Sequence, residues 1–142
     1  MKWELEERSF HYASYKTSKY FNDDLYVVSI YVQKDLKVDR FWVAVSSGRK
    51  RKHLEVFEEK DYKSKGRVKA LMWIKEAIFD FPIYYGNRSN KKQYICIHWS
   101  DSKRRDVYSR LLKYGFEFIY DGGQKILRKK LHNTKNSCNI AL

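Results

Sequence analysis

One proline and six glycines are spread over 142 residues. That scarcity excludes a collagen-like or proline-rich chain. Cysteine is almost as rare, with Cys96 in an apolar run and Cys138 in a polar tail. Their spacing fits no zinc pattern, and two reduced thiols are expected. Long apolar runs are missing too: none approaches the roughly 20 residues that a membrane-spanning helix needs. No apolar leader follows Met1, so the expectation is a cytoplasmic protein without a membrane partner. Acidic residues are in deficit, 17 against 30 Lys and Arg, which leaves a formal net charge of +13. No internal repeat and no low-complexity stretch interrupts the chain.

What is present is apolar and aromatic enough to fold. Hydrophobic residues make up 43% and aromatic residues 17%, enough for one domain with its own core. Residues 1–131 read as that single domain. Residues 132–142 read as a polar, flexible tail. The excess of positive charge implies an anionic partner: a polyphosphate cofactor, nucleic acid or an acidic protein. Oligomeric state is not legible.

Periodicity supplies the elements. Trp3, Leu5, Phe10, Tyr12, Tyr15, Tyr20 and Phe21 give no clean period, so residues 3–24 stay unassigned. Leu25 to Gln33 is rich in β-branched and aromatic residues and predicts a strand. Arg40 to Ser46 and His53 to Glu58 predict two more, joined as a hairpin across Gly48. Arg67 to Phe79 predicts a helix with Ala70, Leu71, Ile74, Ala77 and Ile78 on one face, ended by Pro82. Gln93 to His98 predicts a strand. Ser100 to Tyr114 predicts a second helix, with Val107, Tyr108, Leu111 and Leu112 along one face and Gly115 at its C-terminus. Phe116 to Tyr120 and Gln124 to Leu131 flank Asp121-Gly122-Gly123 as a closing hairpin. The expected class is α/β (α+β): a mixed, largely antiparallel sheet with helices packed on it.

The wording of the second helix and its exit is particular. Asp101, Arg104, Arg105, Val107, Tyr108, Arg110, Leu111, Leu112, Tyr114, Gly115, Phe116, Glu117 and Phe118 together resemble the C-terminal helix-to-strand motif of the GNAT N-acetyltransferase superfamily. The order β-β-β-α-β-α-β-β is similar to that family's from its second strand onward. The resemblance spans about residues 40–131. It implies an acetyl-CoA-dependent N-acetyltransferase acting on an amine whose identity stays open.

A cofactor site follows from the junction before the first helix. A strand-to-helix junction presents unpaired N–H groups and the positive end of the helix dipole, which suits a phosphate. Lys63, Ser64, Lys65, Gly66, Arg67, Val68 and Lys69 occupy that junction. In the family a loop of pattern Q/R-x-x-G-x-G/A holds the pyrophosphate there. Gly66 matches its central glycine, whereas Lys63 and Val68 depart from the pattern.

Acetyl transfer to an amine needs a base, a polarised carbonyl and often an acid for the leaving thiolate. The family's frequent base, a Glu on the strand before the phosphate loop, points to Glu55 and Glu58, with Glu59 beside them. His98 ends the next strand, where sites in α/β sheets gather. The family's usual acid falls at Leu111, and Tyr108 stands one helical turn earlier. Each of these has an ordinary alternative: solvated glutamates, an edge histidine, a core tyrosine.

A rival class stays open. Basic clusters with abundant aromatics suit single-stranded nucleic acid, so the same scaffold can serve as a non-catalytic nucleic-acid binder. A nuclease reading, with Asp23-Asp24 and Glu58-Glu59 around Mg²⁺, lacks a spacing that gathers them with a lysine. No metal ligand set is expected.

Overall fold

The computed structural model describes residues 1–48, 55–56, 65–98 and 114–131. Its elements run β1 (Glu4–Arg8), β2 (Tyr12–Phe21), β3 (Asp24–Lys34), β4 (Val38–Gly48), β5 (Glu55–Val56), α1 (Lys65–Tyr85), β6 (Lys92–His98), β7 (Glu117–Asp121) and β8 (Gln124–Lys130). They form one mixed, mostly antiparallel sheet in the order β1-β2-β3-β4-β6-β8-β7, with β5 alongside β4. This is an α+β fold with one helix among the described residues. The second predicted helix lies outside them, apart from its last residue.

Residues 3–24, which had no legible period, form β1 and β2. The reason is visible in β2. Ala13, Tyr15 and Thr17 face the core, while Tyr12 and the exposed Tyr20 place aromatic rings on the other face. Rings on both faces blur the alternation that marks a half-buried strand. β1 is exposed along its whole length, so its sequence carries no apolar alternation either. The predicted order therefore lacked two N-terminal strands. The expected 40–58 hairpin is present in short form, with Ser46 opposite Val56 and Ser47 opposite Glu55.

One face of the sheet carries the core. Ala13, Val28, Ile30, Val32, Phe41, Ile95, Ile97 and Leu127 lie against Ala70, Trp73, Ile74, Ala77, Ile78 and Phe81 of α1. The helical set repeats at three- and four-residue steps, the spacing that keeps side chains on one side of a helix. Trp3 joins this layer. Its ring meets Phe81 edge-on at 4.9 Å, and its indole Nε1 donates to Asp80 Oδ2 at 2.9 Å.

Pro82 does not end α1, contrary to the sequence expectation. The helix starts two residues earlier than expected and passes through Pro82 to Tyr85. A proline inside a helix costs about 3 kcal/mol. Burial of Phe81 and packing of Tyr85 on Phe41 and Phe81, at 5.3 and 5.6 Å, favour the extra turn. Gly86 is the terminator. Its φ is 78°, and its N–H donates to Pro82 O at 2.9 Å, the left-handed closure that glycine permits. The β7–β8 hairpin is as expected: Gly122 and Gly123 both have positive φ, as a two-residue turn between right-twisted strands requires.

Candidate functional site

β4 and β6 are parallel, paired from Val38 opposite Lys92 to Val43 opposite Ile97. β4 continues to Gly48, and β5 joins it at Ser46 and Ser47. Their described pairing thus ends at Val43 and Ile97, one residue before β6 ends at His98. α1 links them. Its C-terminal turn meets the start of β6, where Gln93 Nε2 donates to Gly86 O at 2.9 Å. A 21-residue helix is about 30 Å long. Running back along the sheet, it carries its N-terminus toward the C-terminal end of β6.

Toward that end lie those residues singled out from sequence that the structure describes. Lys65, Gly66, Arg67, Val68 and Lys69 form the first turns of α1 rather than a loop before it. The first turn contains no acidic residue, so its N–H groups face no competing carboxylate from their own helix. Val68 and Lys69 are exposed. His98 closes β6, is exposed, and its Nε2 lies 2.6 Å from Gln124 Oε1. Glu55 lies on β5. Lys63, Ser64, Glu58, Glu59 and Tyr108 lie outside the described residues. Neighbouring Tyr114 is held by Lys75, whose Nζ donates to its hydroxyl at 2.9 Å and stands 4.5 Å from its ring centre.

The opposite end of the sheet holds a cavity of about 450 Å³ that sequence reading missed. Arg8 from β1, Tyr15 from β2, Asp39 from β4, and Tyr84 and Tyr85 from the last turn of α1 line it, together with Gly86 to Ser89 and Lys91 of the following turn. The turn is rigidly closed. Asn87 Oδ1 accepts from Lys91 N at 2.8 Å, and Asn87 Nδ2 donates to Lys91 O at 2.6 Å. Lys91 Nζ reaches Asp39 Oδ1 at 3.1 Å, and Gln93 Nε2 reaches Asp39 Oδ2 at 3.2 Å. Burial pushes the Tyr85 phenol up to about 12, helped by the Asp39 charge and Tyr15 and opposed by Arg8. Burial also raises Tyr15, against the pull of Arg8. Both phenols therefore stay protonated donors at neutral pH. The sequence signal for this site was Tyr84-Tyr85-Gly86-Asn87, two rings followed by turn residues. Its strand partners, from Arg8 to Asp39, are remote in sequence.

Among the described residues, no group of three or more His, Cys, Asp or Glu is placed to hold a metal ion, and no helix is long and apolar enough to cross a membrane. No protein-family model, curated protein or solved structure matches the chain.

Proposed function

We propose that the chain is an acetyl-CoA-dependent N-acetyltransferase on a GNAT-like scaffold, working at the C-terminal end of the β4–β6 parallel pair. The observation that supports this reading is the one parallel strand pair among the described residues, linked through α1 and paired as far as Val43 and Ile97. The length of α1 carries its N-terminus toward the same end. First-turn N–H groups, with Lys65, Arg67 and Lys69 as counter-charge, suit a diphosphate. The exposure of Val68, 55%, keeps its side chain out of the apolar layer beneath the helix.

Acetyl-CoA supplies an acetyl group as a thioester. The chain's task is to orient an amine, remove its proton and hold the carbonyl oxygen. Backbone N–H groups on the edge of β4 between Val43 and Ser46 suit the oxygen. His98, at the end of β6, or Glu55, on β5, serves as the base. The base that takes the amine proton would also return a proton to the departing sulfur, so that the transfer balances within the site.

A second reading has its own observation. On the sheet face away from α1, Tyr12 and Tyr31 stack at 5.4 Å, and Arg128 lies over Tyr94 at 4.5 Å. Rings beside cations on a sheet suit unstacked bases.

Thermal shift separates the two. Acetyl-CoA is expected to raise Tm, and Gly66→Trp to abolish the rise. No shift with acetyl-CoA, alongside a salt-sensitive shift with a single-stranded oligonucleotide, would replace the first reading by the second.

A further inference from the structure

The cavity at the far end of the sheet lies about a helix length from the α1 N-terminus and has no part in the acetyl-transfer proposal. We infer that it is a binding site for a small phosphate-bearing ligand, a phosphomonoester of sugar-phosphate or mononucleotide size.

Three observations converge on it. First, the charge is uncompensated. Asp39 is the cavity's one carboxylate, and it is committed to Lys91 and Gln93. The guanidinium groups of Arg8 and Arg88 make no hydrogen bond or ion pair with any described residue. Two guanidinium groups without a partner among the described residues are suited to fork onto a phosphate.

Second, the donors are preorganised. The hydroxyls of Tyr15, Tyr84 and Tyr85 have no hydrogen-bond partner among the described residues. Their rings are fixed against one another, with Tyr15 edge-on to Tyr84 at 5.8 Å and to Tyr85 at 6.0 Å. Rings locked in this way give up little rotamer freedom when a ligand arrives.

Third, the size fits. A cavity near 450 Å³ falls within the range of small-molecule sites, and is far larger than one phosphate needs. The ring walls are left for the body of the ligand, with the phosphate at the arginines.

The phosphate has two sources, and the surroundings make both worth measuring. At this end of the sheet Phe10 and Leu36 sit on exposed turns, 85% and 94% accessible. Apolar tips beside a phosphate site also fit a lipid headgroup.

The test is titration calorimetry with inorganic phosphate, ribose 5-phosphate and AMP, with ribose and adenosine as controls. Cosedimentation with phosphatidylcholine vesicles, with and without a phosphoinositide, runs beside it. Phosphorylated probes are expected to bind and their unphosphorylated controls not. Arg8→Gln and Arg88→Gln should each weaken binding about tenfold or more, while Lys125→Gln on the distant β7–β8 hairpin changes nothing. Both arginines are exposed, so the variants should fold, and their melting curves check this. Binding to phosphoinositide vesicles that Phe10→Ser and Leu36→Ser abolish would support the site with a lipid as the source. Failure of every phosphorylated probe in both arms would overturn the inference, as would unchanged affinity in Arg8→Gln and Arg88→Gln. Gly66→Trp, at the other end of α1, is expected to leave ribose 5-phosphate binding unchanged, so the two proposals fail separately.

Discussion

Lys91 and Asp39 are 52 residues apart in sequence, yet Lys91 Nζ donates to Asp39 Oδ1 at 3.1 Å. The pair sits at the head of the parallel strands, where Asp39 registers with Gln93. The side chain of Asp39 is 5% exposed and that of Lys91 20%. Desolvation makes such a pair weak as a source of net stability, and its rupture costly. Asp39→Ala strands the lysine and one donor of Gln93. A loss of about 3 kcal/mol is expected in urea denaturation. Combined with Lys91→Met, the double variant should lose clearly less than the sum of the singles. Additive losses would show that the pair is not coupled.

Phe81 is the hub of the aromatic layer. It is fully buried and its ring meets those of Trp3, Tyr15, Phe41 and Tyr85 within 5.6 Å. Phe81→Ala should cost about 3–5 kcal/mol, from lost transfer energy and the cavity left behind. Ile83→Ala, two residues on and 77% exposed, should stay within about 0.5 kcal/mol of the parent. Equal effects at the two positions would contradict the placement of α1 on the sheet.

Tyr85 makes stability depend on alkaline pH. Its phenol is raised from 10 to about 12, first by burial and then by Asp39. The folded chain therefore holds this proton more tightly than the unfolded chain does. The stabilising contribution is complete below pH 10 and is lost as pH climbs from about 10 to about 12. Tm of the parent should fall toward that of Tyr85→Phe across this interval. Parallel Tm curves would refute the assignment. Tyr15, raised for the same main reason, acts in the same sense.

Legibility followed the period of the pattern. β3, β4, β6 and the β7–β8 hairpin could be read because their apolar residues form runs or alternate cleanly. Residues 4–21 could not, because β1 buries none of its residues and β2 bears rings on both faces. The end of α1 was misplaced for a related reason. Local propensity made Pro82 a stop, while the helix gained more from the burial of Phe81 and Tyr85 than it lost at one hydrogen bond. At the candidate sites the division is the same. The basic junction at Lys65–Lys69 could be found as a contiguous stretch. The cavity at Arg8, Tyr15, Asp39 and Arg88 could not.

Composition alone set the sign of the chain's net charge and supplied enough apolar surface for one sheet with helical cover. Those properties are sums over residues and do not depend on how the chain is arranged. Tertiary structure decided which cations stand without a counter-ion among the described residues. It brought Asp39 to Lys91 and left Arg8 and Arg88 beside three tyrosines. The physical reason is that pairing depends on distances of a few ångströms between groups far apart in sequence, and only the register of the sheet sets those distances.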